Sequence, residues 1–169
     1  ANASGNYSQA SGYRAKASGD SSIATGYEAT ASGDSSQASG YQATASGTYS
    51  TASGLYANAA GNYAQASGRS ANASGNFSIA IGFDARASDT NATAIGYRSN
   101  ASSKDATAVG EYARALAENA TAFGANSNAR KVNSTSIGPE RLRGGACVVN
   151  RTTIVELSRP LQRNLCNGS

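Results

Sequence analysis

The sequence predicts an all-β solenoid, in which one short structural unit is stacked on itself many times. Glycine occurs at every fourteenth residue from Gly12 to Gly138, within the frame Ala-Ser-Gly-x-x-Ser-x-Ala-x-Gly-x-x-Ala-x. Nine full copies and most of a tenth follow one another from Ala3 onward with no insertion or deletion. A strict period this short is typical of stacked coils that pair through their backbones, rather than of a globule built around one core.

Each fourteen-residue copy, here called a coil, predicts two short strands and two tight turns. Residues 22–26 read Ser-Ile-Ala-Thr-Gly and residues 29–32 read Ala-Thr-Ala-Ser, so small and variable residues alternate as they do in strands. Residues 19–21 and 26–28 carry the Gly, Asp and Ser that are typical of turns. We expect the small residues to point inward, because so flat a coil has room for little else.

The outward positions of the first strand change character along the chain. They carry Gln, Ser and Thr in the first five coils, apart from Ile23. From Ile79 onward the second outward position of each strand is apolar, while the first carries Thr after Ile79. An exposed apolar column predicts an interface, and a homo-oligomer about its own axis is the simplest partner. The predicted interface comprises Ile79, Ile81, Ile95, Val109, Phe123 and Ile137, with Gln9, Gln37 and Gln65 as its polar continuation.

Aromatic residues recur at the two turns of the coil. Two interpretations remain open: stacked rings that cover the edges and contact a neighbouring chain, or an exposed ligand surface, since Tyr offers contact area at low entropic cost. The candidate ligand surface consists of Tyr7, Tyr13, Tyr27, Tyr41, Tyr49 and Tyr63.

The composition argues against catalysis and against a metal or a cofactor. The sequence has no histidine, which excludes a Ser-His-Asp triad and imidazole ligands, and no carboxylate pair recurs at a useful spacing. The glycines follow the solenoid period and precede no helix, so they do not predict a phosphate-binding loop. We therefore expect no enzymatic activity and no cofactor.

The C-terminal segment differs from the repeats, so we predict a division into residues 1–138 and residues 139–169. The second segment holds five of the 14 basic residues and two of the ten acidic ones, and Arg130 and Lys131 lie shortly before it. No nucleic-acid-binding fold accompanies this charge, and no apolar window is long enough to insert into a membrane. The β-branched run at residues 147–157 predicts one or two strands.

The two cysteines, Cys147 and Cys166, both lie in this C-terminal segment. In an oxidising compartment they could form a disulfide, and the loop that it closes would be of a size common for disulfides. Bridges between chains and two free thiols remain alternatives.

Three stretches carry a family resemblance: residues 76–82 read Asn-Phe-Ser-Ile-Ala-Ile-Gly, residues 91–96 Asn-Ala-Thr-Ala-Ile-Gly and residues 119–124 Asn-Ala-Thr-Ala-Phe-Gly. They resemble the Ser-Val-Ala-Ile-Gly repeat of trimeric autotransporter adhesin heads of the YadA type, over residues 1–138. The resemblance implies a left-handed parallel β-roll and a homotrimer. It also implies a virulence-associated protein that is secreted and displayed on a Gram-negative outer membrane, anchored through regions outside this chain.

Together these observations favour a non-enzymatic adhesin head that binds a host-surface or matrix protein or glycan. The alternative is a structural subunit of a viral or extracellular fibre, which uses the same roll for length and rigidity. An ice-binding protein is the third class, but its flat Thr-x-Thr array is not what the outward positions show.

Overall fold

The computed structural model describes residues 1–138 and 148–150, which form a parallel β-solenoid of about ten coils without a helix. Every coil contributes one strand to each of two sheets. The ten-stranded sheet consists of β1 (Asn2–Ala3), β3 (Lys16–Ala17), β5 (Thr30–Ala31), β7 (Thr44–Ala45), β9 (Asn58–Ala59), β11 (Asn72–Ala73), β13 (Arg86–Ala87), β15 (Asn100–Ala101), β17 (Arg114–Ala115) and β19 (Asn128–Ala129). The eleven-stranded sheet consists of β2 (Gln9–Ser11), β4 (Ile23–Thr25), β6 (Gln37–Ser39), β8 (Thr51–Ser53), β10 (Gln65–Ser67), β12 (Ile79–Ile81), β14 (Thr93–Ile95), β16 (Thr107–Val109), β18 (Thr121–Phe123), β20 (Ser134–Ile137) and β21 (Val148–Asn150).

The register of both sheets is the fourteen-residue period itself. Ala66 pairs with Ala80 in the eleven-stranded sheet, and Ala73 pairs with Ala87 in the ten-stranded sheet. Neighbouring strands from β1 to β20 are therefore successive coils and run parallel. This confirms the solenoid and places equivalent residues of adjacent coils directly above one another.

The core between the sheets is made of alanine and serine, as the alternation predicted. Alanines such as Ala24, Ala31 and Ala80 are fully buried, and the largest fully buried side chains are serines. Ser22 lies in the core and donates its hydroxyl to the carbonyl of Gly19 at 2.6 Å, so its polar atom is satisfied within its own turn. Each coil buries little apolar area, so the backbone hydrogen bonds between coils keep the stacking regular.

Both turns of the coil hold a residue in the left-handed region. Non-glycine residues with φ between 50° and 58° recur at every seventh position, from Tyr7 to Asn133. Their amides donate to the preceding coil, as from Ser21 to the carbonyl of Asn6 at 2.7 Å and from Glu28 to that of Tyr13 at 2.8 Å. These bonds hold ordinary side chains in a conformation that costs L-residues energy. The coil is thus two similar halves of seven residues.

Glycine is required at every fourteenth residue for two separate reasons. Gly40 has a φ of 137°, which side chains rarely adopt. A Cβ at Gly40 would also collide with the backbone carbonyl of Gly54 in the next coil. Stacked coils therefore demand glycine at this position for conformation and for space.

At the other turn of the coil, which contains residues 19–21 and their equivalents, short polar side chains extend the backbone hydrogen-bond ladder. Asp20 accepts the amide of Asn6 at 2.9 Å, and Asp34 accepts the amide of Asp20 at 3.0 Å. Asn76 does the same for Asn62 at 3.0 Å. These side chains satisfy backbone donors of the preceding coil, which gives the stacked aspartates a structural role.

Strand β21 pairs antiparallel with β20 and ends the eleven-stranded sheet, with Val149 opposite Thr135. Its position agrees with the strand predicted within residues 147–157, and it covers an edge that would otherwise present unpaired backbone groups. The division at residue 138 stays a prediction. Cys147 and Cys166 lie outside the described residues, so their pairing also stays a prediction.

Candidate binding surfaces

The apolar residues of the predicted interface lie on the outer face of the eleven-stranded sheet, and five of the six form one column. Ile81, Ile95 and Val109 stand opposite one another in successive strands, and Phe123 and Ile137 continue the column. Ile79 lies two residues before Ile81 on the same face. Phe123 remains 57% exposed and Ile137 66% exposed, so this chain alone does not cover the column. We call these six residues the apolar stripe.

The polar continuation of the stripe is not a continuous glutamine row. Gln9, Gln37 and Gln65 lie on alternate strands, separated by Ile23 and Thr51. All three side chains are exposed, and none makes a side-chain hydrogen bond within the described part of the chain. They leave free amide groups on the face that the stripe occupies further along.

The candidate ligand tyrosines fall on two edges of the roll. Tyr13, Tyr27 and Tyr41 stack along one edge with ring centroids 5.0 and 4.9 Å apart. Tyr49 and Tyr63 stack along the other edge at 5.1 Å, and Phe77 continues that ladder at 5.1 Å. Tyr7 is 91% exposed and has no ring above it, because Ser21 occupies the equivalent position of the next coil. The six tyrosines therefore form two ladders and one isolated ring.

Two tyrosines outside the predicted ligand surface extend the first of these edges. Tyr56 meets Tyr41 edge-to-face at 5.5 Å, and Tyr112 meets Tyr97 in the same way at 5.3 Å. Both follow the regular aromatic position by one residue, which a search for fourteen-residue columns passes over. The pKa of the Tyr41 hydroxyl is raised above its ordinary value, mainly by desolvation and secondly by the nearby Tyr56.

The same aromatic triplet therefore occurs twice along this edge. Tyr27, Tyr41 and Tyr56 form the first, and Phe83, Tyr97 and Tyr112 form the second four coils later. In the second triplet the Arg98 guanidinium lies 5.4 Å from the Tyr97 ring centroid and 6.0 Å from that of Tyr112. A hydrogen bond with Tyr112 raises the pKa of the Tyr97 hydroxyl above its ordinary value.

Within residues 1–138 and 148–150, no group of three His, Cys, Asp or Glu side chains is placed to hold a metal ion. In the same part of the chain, no helix is long and apolar enough to cross a membrane.

A family model described as YadA head domain repeat (2 copies) matches the chain at residues 3–29, 31–57, 59–85, 73–99, 87–113, 101–127 and 115–140. The chain belongs to the YadA head domain repeat family. The resemblance predicted from the three glycine-ended stretches is thereby confirmed, and the repeat covers both the polar and the apolar coils.

A solved structure supports the same assignment to the YadA head family. The chain is similar to the collagen-binding domain of the Yersinia adhesin YadA, with 32% sequence identity and a TM-score of 0.71. The similarity covers 80% of this chain and 76% of that one. No curated protein matches the chain. The fold and family are those of an adhesin head.

Proposed function

We propose that this chain is the binding head of a trimeric cell-surface adhesin and that it acts by adhesion rather than by catalysis. The apolar stripe carries this proposal. A column of Ile, Val and Phe on one sheet face is unfavourable in water. Burying it against other copies of the chain stabilises the assembly by about 25 cal/mol per Å² of apolar area. Three copies about one axis bring three such columns together.

This assembly determines which surfaces remain for a ligand. With the eleven-stranded sheet turned toward the axis, the ten-stranded sheet and the aromatic edges face outward. Tyr13, Tyr27 and Tyr41 then offer a continuous stacked surface at the end of the head that carries the polar coils. Stacked tyrosines combine apolar contact with exposed hydroxyl groups, which suits a protein or glycan of the extracellular matrix.

The relative described as a collagen-binding domain supports matrix binding as the activity to test first. We further propose display at the cell surface of a Gram-negative bacterium, with anchoring in the outer membrane by regions outside this chain. The family supports this location, and adhesion there would contribute to virulence.

Two measurements test the proposal. Sedimentation equilibrium of the 169-residue chain should give three times the 16.9 kDa chain mass at micromolar concentration. A monomer mass there would refute the trimer. The purified head should also bind surfaces coated with matrix proteins, collagen first; a trimer that binds none of them, nor host cells, would favour the fibre alternative.

A further inference from the structure

A shallow groove of about 400 Å³ lies on the outer side of the ten-stranded sheet, beside the second aromatic triplet. It crosses three successive coils, in the half of the roll that carries the apolar stripe. Its charged and polar lining includes Asp84, Arg86, Arg98, Asn100, Tyr112 and Arg114.

Contacts on two sides fix Arg98 in the wall of this groove. Its Nε lies 3.8 Å from the Asp84 carboxylate, and its Nη1 makes a long hydrogen bond of 3.5 Å to the Tyr112 hydroxyl. The rings of Tyr97 and Tyr112 lie beside its guanidinium plane. An arginine is charged at any physiological pH, and the hydrogen bond with Tyr112 raises the pKa of Arg98 further, so these contacts position a permanent positive charge.

Arg86 and Arg114 project from equivalent positions two coils apart, with Asn100 between them in the sheet register. Arg86 donates to Asp84 from Nε at 3.2 Å and from Nη2 at 3.1 Å. Arg114 is exposed and makes no hydrogen bond or ion pair with any described residue. Three guanidinium groups against one carboxylate leave the groove positively charged.

We propose that this groove binds a polyanionic glycan, a sugar chain that carries sulfate or carboxylate groups. Two arginines about 9.5 Å apart along the roll axis, from the strand spacing, match a ligand with repeated anionic groups. Asn100 between them offers both a donor and an acceptor for sugar hydroxyls. No aliphatic residue lines the groove, so it lacks the apolar pocket that an anchoring peptide side chain would fill.

The inference rests on the proposed trimer in one respect, since the groove faces outward when the eleven-stranded sheet forms the interface. The test uses a fluorescein-labelled, heparin-derived octasaccharide and the 169-residue chain, with the mass of each protein measured in parallel. The double variant Arg86→Gln and Arg114→Gln should weaken binding at least about tenfold, because it removes two charge-assisted contacts. The single variant Arg114→Gln should weaken it severalfold without disturbing Asp84.

The matched control is Arg14→Gln with Lys16→Gln, which removes two positive charges from the first coil, where Lys16 is equivalent to Arg86 and Arg114 and Arg14 is equivalent to Arg98. It should change affinity by less than about twofold, because the groove lies more than a screening length away. A trimer that does not bind the octasaccharide would overturn the proposal. So would equal losses in both double variants, or tighter binding of a polyglutamate peptide than of the octasaccharide. A monomer that binds it would refute only the assembly.

Discussion

The first five coils and the later ones share one backbone but present different chemistry on the eleven-stranded sheet. Ser39 and Ser67 occupy the outward positions that Ile95 and Phe123 occupy further along. The buried alanines and the backbone register are the same in both parts. The ladders and small core therefore set the fold, and the outward side chains are free to differ in what they bind.

The turns of the two parts also differ. In the early coils, Gly61 and its equivalents hold the turn position where a Cβ would meet the next coil, whereas Asp89, Ser103 and Ala117 occupy that position later. The edge formed by Tyr49, Tyr63 and Phe77 likewise gives way to asparagines such as Asn91 and Asn119. The early coils stack more tightly and display more rings.

The largest expected effect comes from disrupting the apolar half of the proposed interface. Changing Ile95 and Phe123 to Asp should abolish the trimer, because it places charges in an apolar seam where desolvation is costly. Sedimentation equilibrium at micromolar concentration measures the mass. The same change at Ser39 and Ser67 is the matched control in the polar coils, and it should leave the mass trimeric. A trimeric mass for the Ile95 and Phe123 variant would show that the stripe is not the interface.

A smaller effect on stability should distinguish the turns of the early coils from those of the later coils. Gly61→Ala should lower the free energy of unfolding by about 1–3 kcal/mol, because the new Cβ forces the Gly75 carbonyl away. Ala117→Gly should cost about 0.5–1 kcal/mol, through backbone entropy and the loss of a methyl group that packs against the alanine core. Urea unfolding at one fixed protein concentration compares the two. Stabilisation by Ala117→Gly would instead mean that the later turns are as closely stacked as the early ones, because removing that Cβ would then relieve a clash.

Much of the fold could be predicted from the period. Because residues fourteen apart must stack, the small inward residues and the apolar column both follow from one frame. The stacking of Tyr13, Tyr27 and Tyr41 follows from the same rule. The isolation of Tyr7 and the alternation of Gln9 with Ile23 could have been predicted in the same way, by checking each residue's neighbour one coil away.

The edge-to-face tyrosines and the groove could not be found in that way. Tyr56 and Tyr112 lie one residue after the aromatic column. Whether such a ring contacts the column depends on the turn geometry, which composition does not reveal. The groove depends on Asp84 holding two arginines from different positions of the coil. Each residue alone is typical of a solvated face, and only their placement concentrates the charge.

The smallest effect distinguishes ring stacking from backbone strain. Tyr63 and Tyr7 both have a φ of 56°, a conformation that asparagine tolerates better than most residues. Tyr63→Asn should still destabilise the head by roughly 1 kcal/mol, because the Tyr63 ring stacks on Tyr49 and on Phe77 at 5.1 Å each. Tyr7→Asn relieves the same strain and loses no stacking partner, so it should stabilise by a few tenths of a kcal/mol.

The two contributions are separated by the midpoint of urea unfolding, measured for both variants at the same protein concentration. Destabilisation by Tyr63→Asn alone means that the rings pack and hold the edge, whatever ligand they also meet. Stabilisation by both variants would mean that the ladder contributes nothing to folding. The energetic cost of a tyrosine at each turn would then have to be offset by binding, which would make the Tyr49, Tyr63 and Phe77 edge the better candidate for ligand contact.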